Sequence, residues 1–272
     1  MPIIDQLINQ DLLTKHWNKI YAQKSEEKRW TSRGIDDISL KDFVKKEDEN
    51  LNILFVSLEK RLFSFSPAKI VRIEKPDGDD RFLAVPTVRD RIVHSAILEI
   101  LTSIFYPHIN TGVSYCGVKQ QFNKKEDRAL NIQKAVIKFI GHVKNGNFWI
   151  FKSDINKFFD FVPKQKMLDK IFSILPDTSL NDFIKQIIYF EIGNLEELKR
   201  KKYPIPNPKL GLAQGSSLSP LFSNLYLANF DKKMPLLFND RFIRYADDFI
   251  VVCKTQKEAK EAQLEAEKNL KN

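Results

Sequence analysis

Cysteine is nearly missing from this sequence: Cys116 and Cys253 are the two among 272 residues. They lie far apart in apolar or aromatic surroundings, which excludes a disulfide framework and a CxxC metal site and fits a reducing compartment. Glycine is scarce too, at 9 residues, which excludes collagen-like and low-complexity chains. The stretch from Met1 to Asp11 lacks the basic start and apolar core of a signal peptide, and no apolar run approaches about 18 residues, so a soluble, cytoplasmic protein without membrane contact is expected. No HEXXH, no GxGxxG ahead of a helix and no Walker A string occurs, which removes the enzyme classes that depend on them.

The abundant residues point to a folded, basic protein. Apolar types make up 43% of the chain and phenylalanine alone contributes 21 residues. At roughly 100–200 residues per domain, this is enough for one large domain or two sharing a core. The formal charge of +9 favours a polyanionic partner, because each phosphate contacted by Lys or Arg releases condensed counterions. Nucleic acid is the first partner class and a membrane surface the second. With 35 acidic residues also present, a merely basic soluble protein stays open on charge alone.

Apolar spacing predicts one amphipathic helix or two short ones over 4–23, and helices around 40–62, 88–105 and 125–144. From Lys69 to Lys75 apolar and charged residues alternate, Pro76-Asp77-Gly78-Asp79 supplies a turn, and Arg81 to Val85 resumes, the pattern of a β-hairpin. Residues 148–155 are aromatic and β-branched, as in a buried strand, with Asp154 near its end. Residues 196–208 read as a loop or exposed hairpin, and 219–230 as a helix with Pro220 in its first turn. Two short strands, 241–245 and 249–253, flank Ala246-Asp247-Asp248 at a hairpin tip, and a charged helix covers 257–271.

Asp154, Asp247 and Asp248 therefore fall among apolar strands, where a carboxylate needs a counter-charge. Divalent cations would supply it, and Mg²⁺ prefers hard oxygen ligands while also holding substrate phosphates. In isolation, Asp247-Asp248 reads more readily as a polar hairpin turn.

The pair does not stand in isolation. Tyr245-Ala246-Asp247-Asp248 resembles the YADD signature of reverse transcriptases. The segment from Phe151 to Asp160 resembles their first catalytic motif, and Gly211 to Leu221, with Gln214-Gly215 ahead of Ser219-Pro220, resembles the intervening QG…SP motif. Upstream, Arg33-Gly34-Ile35-Asp36, the hairpin from Lys75 to Arg81, Val85-Pro86-Thr87-Val88-Arg89-Asp90-Arg91 and Ser114-Tyr115 are similar to blocks of group II intron-like and other bacterial reverse transcriptases, including defence-associated (antiviral) ones. Coverage runs from about residue 17 to 255.

The resemblance implies an α+β right-hand polymerase: helical fingers with a β-hairpin over 1–147, and a ferredoxin-like antiparallel palm over 148–272 with interleaved helices at 163–208. It implies an RNA-directed DNA polymerase that joins a dNTP to a primer 3′-hydroxyl using two Mg²⁺ ions, or Mn²⁺ in their place. Asp154 and Asp247 would bind both metals beside Asp248, and the Ile155 carbonyl would complete the coordination. Lys75 and Arg81 would grip the triphosphate, Phe159 would exclude a ribose 2′-hydroxyl, and Gln214 and Gly215 would sit beneath the nascent base pair. RNA template, a DNA or RNA primer and dNTPs are the implied partners.

Two departures from the family pattern stand out. Ser114-Tyr115-Cys116-Gly117-Val118 lacks the arginine of the SYGFR block, and the sequence ends before a thumb, which leads to the expectation that further residues or another chain supply one. Retron signatures are missing, and Ser219-Pro220 argues against the diversity-generating type. A catalytically limited nucleic-acid-binding scaffold and an RNA-templated RNA polymerase are the alternatives, with Phe159 separating the second.

Overall fold

The computed structural model describes residues 1–74, 80–117 and 127–271, with the backbone path alone for 127–131 and 271. In chain order its elements are α1 (Ile3–Leu7), α2 (Gln10–Ala22), α3 (Glu26–Thr31), α4 (Leu40–Val44), α5 (Glu47–Glu59), β1 (Lys69–Glu74), β2 (Asp80–Val85), α6 (Val88–Ile109), α7 (Asp127–Lys144), β3 (Trp149–Asp154), α8 (Phe158–Phe161), α9 (Lys164–Phe172), α10 (Asn181–Ile188), α11 (Leu195–Arg200), α12 (Ser219–Phe238), β4 (Phe242–Tyr245), β5 (Asp248–Cys253) and α13 (Gln256–Lys271). The turn expected at Pro76–Asp79, and Lys75 with it, lies outside the described residues.

Three expectations need correction. The helix predicted over 40–62 is two helices, because a Ser39–Asp42 capping box starts α4 and Lys46 leaves helical geometry at φ −133° before α5,. Residues 196–208 open with α11 rather than a loop. Glu196 and Glu197 occupy its first turn and Lys199 and Arg200 its last, which matches the positive and negative ends of the helix dipole. The strand around 148–155 is not buried: Trp149 and Ile150 are 45% and 46% exposed, on a strand that has a neighbour on one side only in the order β3-β5-β4.

The chain divides into two compact units, Met1–Leu101 with Phe159–Ser219, and Thr102–Phe158 with Pro220–Asn272. In the first, Trp17 packs on Phe43 with ring centroids 4.6 Å apart, and Leu13, Leu40 and Leu54 are wholly buried. The hairpin β1–β2 is antiparallel from Lys69 opposite Val85 to Glu74 opposite Asp80. Its Ile70 and Ala84 bury against Leu198, Phe190 and Tyr203. Two of the strings that carry the family resemblance have plain structural roles here. A Cβ on Gly34 would lie 2.7 Å from the Thr87 Cα, so glycine is what permits that approach. The Arg91 guanidinium donates to the Pro86 carbonyl and to Ser32 at 2.9–3.1 Å.

Helix α6 is long and apolar enough to cross a membrane by length and composition, an outcome masked in the sequence by Arg89, Asp90 and Arg91 in its first turn. Ile92, Val93, Ala96, Ile97, Leu101 and Phe105 are all buried within the protein, the pattern of a core helix.

Two buried histidines near this core make stability pH-dependent. Burial pushes His16 down to about 4 against the opposing pull of Glu99, and pushes His94 down to about 4. Between pH 6.5 and 4 the unfolded chain therefore binds more protons than the folded one, and stability falls as pH falls. Each histidine contributes a slope that approaches about 1.4 kcal/mol per pH unit midway through that window and falls to about half of it at either end. Denaturant titrations at pH 7, 6 and 5 should show a steady loss, and His94→Phe should flatten the profile.

In the second unit β5 lies between β3 and β4, antiparallel to both. Phe242, Phe249, Val251 and Cys253 point to one face and pack with Phe230, Met234 and Phe238 of α12 and Ala262 and Ala266 of α13. Period-two alternation then sends Asp248 and Ile250 to the other face.

Candidate active site

Antiparallel register sets Asp154, the last residue of β3, directly opposite Asp248, the first of β5. Asp248 is also opposite Tyr245, so Asp248 belongs to the strand and Ala246-Asp247 alone forms the turn. Asp154 and Asp248 are exposed and Asp247 is half-buried. The counter-charge argument from burial therefore does not hold. What stands in its place is like-charge repulsion between two carboxylates on one face of a strand pair, which is destabilising until a cation intervenes.

Among the described residues, the three carboxylates have no ion-pair or side-chain hydrogen-bond partner, and no three Asp, Glu, His or Cys side chains form a ready-made metal cluster. The donor chemistry nevertheless suits Mg²⁺, which commonly takes one or two protein carboxylates and completes its shell with water and substrate phosphates. The Asp247 carbonyl accepts the Ile155 amide at 3.2 Å, fastening the end of β3 to the turn. The Ile155 carbonyl accepts from the Phe158 amide at 3.1 Å and keeps a second lone pair.

The turn itself is strained and buttressed. Ala246 has φ +57°, a left-handed conformation that costs an L-residue about 1–2 kcal/mol. Its carbonyl accepts from Arg244 Nη1 at 2.5 Å. Arg244 is wholly buried and grips Asp231 of α12 with two 2.6 Å bonds from Nε and Nη2, while Nη2 also donates to Asn224 Oδ1 at 2.9 Å. Asn224 in turn accepts from Ser114 Oγ and donates to the Cys116 carbonyl. The segment around Ser114 lies along β4, with the Tyr115 amide donating to the Arg244 carbonyl at 2.9 Å. Sequence reasoning missed Arg244, Asp231 and Asn224. The available signals were an arginine inside an apolar strand and two polar residues seven apart on one face of a core helix.

The remaining predicted site residues fall in the first unit. Arg81 is exposed on β2 and Phe159 sits in α8. The loop carrying Gln214 and Gly215 is pinned from both sides: the Gln214 carbonyl accepts the Ala84 amide at 2.8 Å, and the Leu212 amide donates to the Phe159 carbonyl at 2.7 Å. Gly215 has φ +98°, and a Cβ there would lie 3.1 Å from the Ala84 carbonyl oxygen, so only glycine fits without strain. The Gln214 amide donates to Asp160 Oδ1 at 3.2 Å, an anchor not foreseen from the motif.

The sequence profile of the reverse transcriptase (RNA-dependent DNA polymerase) family matches residues 73–272. The chain belongs to the reverse transcriptase family. Among curated relatives, the COX1/OXI3 intron 2 protein of Saccharomyces cerevisiae is 27% identical over 83% of this chain and 24% of its own length. The group II intron-encoded protein LtrA of Lactococcus lactis subsp. cremoris is 25% identical over 83% of this chain and 34% of its own. Protein YkfC of Escherichia coli is 24% identical over 86% and 65%. The chain thus spans between about a quarter and two thirds of the length of these relatives. A Cas6-RT-Cas1–Cas2 complex chain aligns with all of this chain and 26% of its own, at 25% identity and a TM-score of 0.48. The mixture of helices with small antiparallel sheets is consistent with a reverse transcriptase fold.

Proposed function

We propose that this reverse transcriptase is a group II intron-like RNA-directed DNA polymerase with right-hand architecture, extending a DNA or RNA primer on an RNA template with dNTPs. The observation that carries the reading is the direct opposition of Asp154 and Asp248 across β3 and β5, with Asp247 in the adjoining turn. Asp154, Asp247 and Asp248 would hold two Mg²⁺ ions, or Mn²⁺ in their place. When bound, such ions polarise the attacking 3′-hydroxyl and offset charge on the departing pyrophosphate.

The chain's own residues orient and select. Arg81, with Lys75, would grip the triphosphate, the guanidinium fork binding phosphate oxygens in pairs. Gln214 and Gly215 would lie beneath the base pair, glycine allowing close backbone approach and Asp160 holding the Gln214 amide in one orientation. Phe159 would meet the sugar where a ribose carries its 2′-hydroxyl. Phe159→Ala is expected to raise NTP incorporation relative to dNTP by on the order of tenfold to a hundredfold, the scale of a steric pocket contact. Single-nucleotide incorporation with each nucleotide class measures it.

Primer extension on an RNA template with Mg²⁺ or Mn²⁺ tests the whole reading. dNTP-dependent extension is expected. Preference for NTPs would point to an RNA-templated RNA polymerase, and binding of the template without synthesis would point to a scaffold.

A further inference from the structure

The first unit holds a cavity of about 350 Å³ whose lining includes none of the residues assigned above to the metal ions or the nucleotide. Phe65, Tyr189 and Phe190 supply aromatic wall, and Asp90 and His94, one turn apart on α6, supply polar wall. Ala84 and Ala213, on either side of the hydrogen bond that holds Gln214, also line it.

Asp90 is 1% exposed. Its Oδ2 accepts the Ser66 amide at 3.0 Å, but its Oδ1 has no hydrogen bond. The nearest cation, Arg89 Nε, stands 3.6 Å from Oδ1, beyond hydrogen-bond length. His94 stacks on Phe65 at 4.7 Å, and among the described residues its ring nitrogens make no hydrogen bond. An acceptor left unmet at such depth is costly, and the space is within the range of small-molecule pockets, about 300–1,000 Å³.

The surroundings narrow the ligand class. The Lys164 ammonium lies 5.4 and 5.5 Å from the Tyr189 and Phe190 ring centres, and with Arg89 it disfavours a compact cation such as an alkylammonium. A flat ring with delocalised or no charge suits the aromatic wall. A carboxyl group presents two oxygens side by side, and Oδ2 retains a lone pair after its bond to Ser66. Burial raises the Asp90 carboxyl above its usual range, so either partner of a two-point pair can carry the proton.

We propose that this cavity binds a small planar heteroaromatic whose amino group and neighbouring ring nitrogen pair with the Asp90 carboxyl, the edge that adenine and cytosine display. 2-Aminopyridine is the probe, titrated into the whole chain by calorimetry and by heteronuclear NMR. Saturable one-to-one binding is expected, weakened at least about tenfold for aniline, which lacks the ring nitrogen, and in Asp90→Leu. Ala213→Leu, which fills the space and leaves Asp90 in place, should abolish binding and keeps the test decisive where Asp90→Leu fails to fold. No saturable binding to the unaltered chain, equal affinity for aniline, or full affinity in Ala213→Leu would each overturn the proposal.

Discussion

Asp247→Ala is expected to abolish nucleotide incorporation while leaving the fold intact. The side chain makes no hydrogen bond among the described residues, and the residue's structural contribution runs through its main-chain carbonyl to Ile155, which alanine retains. A metal ligand in phosphoryl transfer supplies several kcal/mol of charge stabilisation, and each 1.4 kcal/mol or so is tenfold in rate, so the loss should be roughly a thousandfold or more. Melting temperature should hold or rise, since one of three clustered negative charges is removed. The two measurements are primer extension with Mg²⁺ and with Mn²⁺, and a thermal melt. Synthesis surviving at a tenth of the normal rate would refute the assignment of Asp247 as a metal ligand.

Arg244→Met should be the most damaging substitution for stability. It strands Asp231, which is 1% exposed, without a counter-charge, and breaking one side of a buried pair costs about 3–5 kcal/mol. At this chain length that corresponds to a fall in Tm on the order of 10 °C. The companion variant, Arg244→Met with Asp231→Leu, removes both charges and should recover most of the lost stability. It still lacks the donor to the Ala246 carbonyl, so activity should stay low. Recovery of both stability and activity in the double variant would make the network purely structural, with no positioning of the turn.

Much of this was legible in the sequence because the informative patterns are local. Alternation around Ile70 and Ile243, helical spacing from Val88 onward and Pro220 at a helix start each depend on neighbours a few residues away, and the elements stand close to where they were expected. The misplacements have a common cause. Trp149 and Ile150 have the composition of a buried strand, and their exposure depends on which distant elements cover the sheet. The Asp154–Asp248 opposition could not be derived from spacing either, because register across the 93 residues between them is a tertiary fact. Arg244 was overlooked because a charge in a strand reads as solvent-facing until α12 brings Asp231 and Asn224 beneath it.

The turn between β4 and β5 has just two residues, Ala246 and Asp247, and this brevity makes it an indexing device. Asp248 faces outward and Phe249 enters the core, and every later position of β5 inherits that parity. One inserted residue that shifted the pairing by a single step would carry phenylalanine to the open face and aspartate into the packed interior. The count of residues in the loop therefore bears on the proposed site as directly as the carboxylates do, and an insertion here should be tolerated only where the turn absorbs it and the Tyr245–Asp248 pairing is kept,.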